Sequence, residues 1–194
     1  MNFNPRIDKS EIATMPNVLF EGRIFVIDTP NEAEKAVKAL STEKIIGIDT
    51  ETRPAFRKGV THSVSLLQLS TADTCFLFRL CRIGLPDSLV SLLENKKITK
   101  VGLSLHDDYQ ALKRRTPFTP GGFLDLQKFV TEFGIEEMSL QKIYAIIFSQ
   151  RISKNQQLSN WDADVLTDKQ KLYAATDAWA CLNIYNRLTE TNNE

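Results

Sequence analysis

Carboxylates recur inside apolar segments of this chain, and that pattern restricts the fold more than any other feature. Asp49 and Glu51 close IIGIDTET, Asp107 and Asp108 stand in LSLHDDYQAL, and Asp177 follows Tyr173 in LYAATDAWA. A charge sunk into an apolar element is costly unless something pairs with it, and the usual partner for several carboxylates together is a metal cation. The fold must therefore gather the ends of distant elements around one point.

The elements themselves are readable. RIFVIDT (23–29) is β-rich, and Thr29-Pro30 reads as an N-cap with Pro at the first helical position, opening a helix to about Leu40. KIIGIDT (44–50) has the apolar run of a buried strand. SVSLLQLS (63–70) and TCFLFRL (74–80) flank the turn TAD and form a hairpin. A helix follows from Pro86 to about Glu94, then a strand in KITKVGL (97–103) and a helix over 106–115. TPFTPGGF reads as a loop, LDLQKFVTEFG and SLQKIYAIIF as helices, and 149–166 as an irregular polar stretch. LTDKQKLYAATDAWACLNIYNRL is the longest helix, and residues 1–22 are an extended lead-in. Strands early and helices late favour an α/β fold, a mixed sheet with helices on both faces.

Spacing places the acids. Asp49 and Glu51 are two apart on a strand and leave the same face, together with Gly47, while Ile46 and Ile48 point into a core. Two carboxylates this close repel, so without a cation one holds a proton; the alternative is a solvated strand end. Tyr173 and Asp177, four apart, share a helix face with packing on both sides, where an Asp that caps another element is the competing reading. Ala174, Ala175 and Ala178 would let that helix approach a sheet closely. Of the adjacent pair, Asp108 aligns with Leu105, Ala111 and Leu112 on the core side. Asp107 aligns with Gln110 and Arg114 on the solvent side, where an acid in the first turn suits the helix dipole.

Two further segments are candidates for substrate contact. Arg53, Arg57, Lys58 and His62 put positive charge on the loop after the first acidic pair, with Phe56 as a stacking surface; the alternative is a solvated loop tip. Lys154 and Trp161 lie in KNQQLSNW, whose length without apolar periodicity suits an ordered functional loop, although Trp161 could instead pin that loop to the body.

At 194 residues the chain suits one domain with a sizeable core. Lys and Arg (24) balance Asp and Glu (24), so a polyanionic substrate would depend on a local basic strip rather than a global field. Cys75, Cys81 and Cys181 form no CxxC pair, and the two histidines have no nearby cysteine, which argues against zinc. No apolar run approaches the length of a membrane span, and MNFNPRIDKS is not a signal segment, so the expectation is a cytoplasmic protein with no membrane partner.

Together these segments resemble the 3′→5′ exonucleases of the DEDDy subclass, with a ribonuclease H-like fold. Within that group the chain is similar to the exonuclease domain of the Werner syndrome helicase and, more distantly, to ribonuclease D. The likeness runs from about Arg23 to Leu188, and the implied domain covers 23–190, with 191–194 as a tail. It is carried by IGIDTETRP with its RKG loop, by KVGLSLHDDYQAL, and by SNW followed by LTDKQKLYAATDAWA. The resemblance implies Asp49, Glu51, Asp108 and Asp177 as ligands of two Mg²⁺ or Mn²⁺ ions, and Tyr173 as the residue that orients the attacking water. It implies hydrolysis of single-stranded or 3′-recessed DNA or RNA from the 3′ end, releasing nucleoside 5′-monophosphates. The competing reading is a catalytically silent nucleic-acid-binding domain on the same fold.

Overall fold

The computed structural model describes residues 3–191, so the last three positions of the expected tail lie outside the described residues. The elements run α1 (Lys9–Thr14), β1 (Arg23–Ile27), α2 (Pro30–Leu40), β2 (Ile45–Thr52), β3 (Val64–Ser70), β4 (Thr74–Phe78), α3 (Leu80–Ile83) and α4 (Asp87–Glu94). They continue with β5 (Thr99–Gly102), α5 (Leu105–Lys113), β6 (Phe123–Asp125), α6 (Leu126–Phe129), a 3₁₀ turn (Val130–Phe133), α7 (Leu140–Phe148) and α8 (Asp168–Thr191). The start of α2 is the expected one: Thr29 caps it, Glu32 completes the capping box and Pro30 opens the first turn.

Among the described residues six strands form one mixed sheet in the order β1-β4-β3-β2-β5-β6. β3 and β4 are the expected antiparallel hairpin, and β2 pairs antiparallel with β3. β2, β5 and β6 run parallel to one another, as do β1 and β4. β5 accompanies β2 only from Ile45 to Gly47, which leaves the acidic carboxyl end of β2 without a strand on that side. In open sheets of this kind, the crevice outside the carboxyl ends of the strands is where ligands bind.

Alternation along the strands divides the core into layers. Ile46, Ile48, Leu67, Leu69 and Phe78 pack against Ala33, Ala36 and Leu40 of α2 and Leu89 and Leu93 of α4. On the opposite face α8 lies across the sheet. Leu66, Cys75 and Leu77 meet Ala174 and Ala175 there, and further along the helix Ala180, Ile184 and Leu188 join Val101 and the α7 side chains Ile143 and Tyr144. No helix among the described residues is long and apolar enough to cross a membrane.

Three expectations are corrected. The lead-in is not simply extended: it holds α1, whose Asp8–Glu11 capping box closes its first turn. It is also tied to the body by the Asn17–Arg151 bridge and by Phe20 N–H donating to Thr176 Oγ1 at 3.1 Å. The end of TPFTPGGF and the start of the expected helix LDLQKFVTEFG form a strand instead, because Phe123–Asp125 pair with β5 at the sheet edge. A three-residue strand is too short to show a period, and tertiary pairing overrides the helical pattern there. Last, the strand expected over 74–80 stops at Phe78, and a one-turn helix, α3, begins at Leu80.

Candidate active site

β2 delivers the first two acids. Asp49 and Glu51 emerge on the face covered by α8, and that helix comes so close that a Cβ on Gly47 would lie 1.9 Å from the Ala178 carbonyl oxygen. Glycine on the strand and alanine on the helix thus set the distance between the first and last acids. Just beyond Glu51 the ladder with β3 loses its register. The extra residue is Ser65, whose hydroxyl accepts a hydrogen bond from Arg53 N–H at 3.2 Å. Such bulges re-aim a strand end, and this one turns the chain out into the loop 53–62.

α8 delivers Tyr173 and Asp177. Its first turn is closed by reciprocal hydrogen bonds between Thr167 and Gln170, which orient the helix two turns before Asp177. Carboxylate oxygens of Asp49, Glu51 and Asp177 all lie within 4.8 Å of one another. Glu51 and Asp177 are 9% and 8% exposed, so little solvent screens the three from each other. Oxygen donors at this spacing fit a hard divalent cation.

Asp108 sits one step aside. Its carboxylate accepts a short hydrogen bond from Thr50 Oγ1, on the opposite face of β2 from Asp49 and Glu51. The start of α5 is anchored by Asp125 at the end of β6, which accepts from Ser104 N–H and Leu105 N–H, each at 3.0 Å. Ser104 holds a left-handed conformation (φ 56°) to make that turn, a strain that surrounding bonds must offset. Sequence reasoning passed over Asp125. Its signal was an Asp between an apolar pair and a helix start, the pattern of an N-cap, and it does cap α6 as well, through Gln127 N–H.

Without a cation these carboxyls hold their protons more tightly than free carboxyls do. Burial, then the charges of Asp177, Glu51 and Asp108, push Asp49 well above the usual carboxylate range. Burial followed by Asp177 and Asp108 takes Glu51 to about 9. Burial takes Asp108 to about 6 against the opposing Thr50 hydrogen bond. Asp177 reaches about 7 through burial, opposed by the Tyr173 hydrogen bond and by Lys154. Burial and the neighbouring carboxylates raise the Tyr173 phenol too, so its hydroxyl keeps its proton and donates to Asp177. Protons and a divalent cation compete for these oxygens.

A family model described as 3′-5′ exonuclease matches residues 24–192. The chain belongs to the 3′-5′ exonuclease family. It is 34% identical over 155 residues to the mouse bifunctional 3′-5′ exonuclease/ATP-dependent helicase WRN, covering 77% of this chain and 11% of that protein. A 3′-5′ exonuclease of Arabidopsis thaliana is 27% identical over 200 residues, covering 95% of this chain and 69% of that protein. Among solved structures, the Trypanosoma brucei RNase D complex with RNA U12 superposes with a TM-score of 0.76 at 24% identity, covering 87% of this chain and 63% of the other. These findings agree with the resemblance read from the motifs, and the mixed sheet is the ribonuclease H-like sheet of such exonucleases.

Asp49, Glu51, Tyr173 and Asp177 line one side of an open cleft of about 370 Å³. Its other walls are the start of α7 and the segment from Ile152 to Gln157, which brings Lys154 to the acids. Arg53, Phe56, Arg57 and His62 line a neighbouring basin of about 540 Å³ with Leu158 and Asn160. The same two segments run from cleft to basin, β2 into its loop on one side and 152–160 on the other. Phe56 is 82% exposed, and Lys58 stands on the exposed turn closed by Val60 N–H to Arg57 O at 3.2 Å. In this exonuclease-family chain Trp161 has no place on a substrate surface. It is wholly buried, packed with Leu66, Cys75 and Ala174 behind Tyr173, whose ring centroid is 6.0 Å away. Its apolar area decided its position, and it pins the loop.

Proposed function

We propose that this chain is a metal-dependent 3′→5′ exonuclease that releases nucleoside 5′-monophosphates from the 3′ end of single-stranded or 3′-recessed DNA or RNA. The observation that carries the reading is the close group of Asp49, Glu51 and Asp177, with oxygens within 4.8 Å, at the floor of an open cleft beside Tyr173. In this reading Asp49, Glu51, Asp108 and Asp177 would hold two Mg²⁺ or Mn²⁺ ions. Bound ions of this kind supply a nucleophilic water at neutral pH and stabilise the departing 3′-oxygen. Tyr173, kept protonated by its surroundings, orients that water through its hydroxyl and is not itself the base.

Lys154 meets the terminal phosphate from the facing wall of the cleft. Arg53, Arg57 and Lys58 contact upstream phosphates, and the exposed ring of Phe56 stacks a base, an interaction worth about 1–3 kcal/mol. The RNA in the T. brucei RNase D complex supports a nucleic-acid substrate, and the WRN relative supports exonuclease chemistry on a 3′ end. The free thiols Cys75, Cys81 and Cys181 are consistent with a reducing compartment such as the cytoplasm.

The test is digestion of 5′-labelled DNA and RNA strands of identical sequence with Mg²⁺, with Mn²⁺ and with chelator. A metal-dependent ladder shortening from the 3′ end, lost in Asp49→Ala, is the expected result. Strand binding without shortening in either metal would instead establish a silent binding domain.

A further inference from the structure

Gln68 of β3 stands directly opposite Asp49 in the β2–β3 ladder. Its neighbours Leu67 and Leu69 pack with α2 and α4, so alternation sends Gln68 to the face shared with Asp49 and covered by α8. Gln68 is completely buried, and among the described residues neither Oε1 nor Nε2 has a hydrogen-bond partner. A primary amide sealed from water with no partner is rare, because its desolvation goes uncompensated. In the apolar cluster on that face the buried Trp161 Nε1–H also lacks a partner among the described residues; as a donor it can serve only the Gln68 Oε1 acceptor, which leaves both Nε2 N–H groups unassigned. Leu66 and Leu77 are apolar, and the Ser70 hydroxyl is given to the Thr71 carbonyl at 2.9 Å.

Directly opposed residues in an antiparallel pair have Cβ atoms roughly 4.5–5.5 Å apart, within reach of a glutamine amide. We infer that Gln68 is a positioning residue for Asp49: its Nε2–H donates to the ionised Asp49 carboxylate and fixes which oxygen faces the cleft. An acceptor-only carboxylate on one side and two unused N–H donors on the other are complementary. Carboxylate ligands of metals are commonly held by such outer hydrogen bonds, whose loss weakens metal binding about 10–100-fold. The inference rests on the reading of Asp49 as a metal ligand.

Gln68→Met and Gln68→Leu keep the volume and remove both polar atoms. Mn²⁺ binding to each variant and to the unaltered chain is measured by titration calorimetry, alongside metal-free melting. The expected result is a Kd for Mn²⁺ raised about 10–100-fold, with a metal-free melting temperature equal to or above that of the unaltered chain. Hydrolysis should weaken at low metal and recover at saturation. Affinity unchanged within about twofold would overturn the assignment. So would a lowered metal-free melting temperature in both variants with affinity that follows the folded fraction, since Gln68 would then be structural. If the unaltered chain binds no Mn²⁺, the metal reading of Asp49 fails, a different result from equal binding in all three.

Discussion

At the scale of single residues, two adjacent aspartates have opposite surroundings. Asp107 is exposed on the first turn of α5, whereas Asp108 is turned inward to Thr50. Asp108→Asn is expected to depress hydrolysis strongly, and Asp107→Asn to alter stability by no more than about 0.3–1 kcal/mol through the helix dipole. Steady-state rates and melting curves on both variants check this, and equal losses would mean that both acids reach the metals. Tyr173→Phe keeps the ring against Trp161 and deletes the hydroxyl. Turnover should fall about 10²–10⁴-fold, the scale of a positioned proton-transfer group, while calorimetric Mn²⁺ affinity stays the same. A variant that cleaves at the original rate would make Tyr173 a packing residue. The acids were legible because a carboxylate in an apolar period is conspicuous. Gln68 was not, since a neutral amide in SLLQLS breaks no local rule until its burial is known.

At the scale of elements, the contact of α8 with β2 sets the site. Gly47→Ala would place a methyl group against the Ala178 carbonyl oxygen, and the helix would have to shift outward. Overpacking of this kind costs about 1–3 kcal/mol, and a displacement near 1 Å at catalytic groups can cost about 10²-fold in rate. The expectation for Gly47→Ala is a folded protein with a lower melting temperature and a disproportionate loss of hydrolysis, measured by calorimetry and single-turnover cleavage. A rate loss no larger than the lost folded fraction would show that the contact is structural only. The small residues on both elements could be read in sequence, and so could the capping of α2. The strand β6 could not: its three residues become a strand by pairing with β5, and Asp125 at its end anchors α5 from twenty residues away.

At the scale of the molecule, the carboxyl group couples stability to pH and metal. The folded chain binds protons at Asp108 (about 6), Asp177 (about 7) and Glu51 (about 9) more tightly than the unfolded chain, whose carboxyls titrate near 4. Their stabilising contribution is complete below the unfolded values and is lost as pH rises through the folded ones. Metal-free melting temperature should therefore fall between pH 5.5 and 8, a window above the titration of the lowered carboxyls Glu32, Asp73 and Glu137, in which the raised carboxyls outnumber Lys100, whose titration, brought to about 8 by burial, opposes the trend only at the upper end. Saturating Mg²⁺ binds the folded state alone and should raise the melting temperature more at pH 8 than at pH 5.5. Scanning calorimetry at both pH values, with and without Mg²⁺, measures it; a metal effect that does not grow with pH would contradict the cluster as the binding site.

By itself the amino-acid sequence determined the elements with strong local signals. These are the capped α2, the β3–β4 hairpin, the acidic end of β2 and the long α8 with Tyr173 and Asp177 on one face. Each follows from interactions between residues a few positions apart, so a linear reading reaches it. Tertiary structure alone decided that Trp161 is buried, that Lys154 faces the acids, that Asp108 leans on Thr50 and that Gln68 lies sealed beside Asp49. Those depend on which distant segments the sheet order brings together. Burial and charge proximity are properties of that assembly, and no local spacing encodes them.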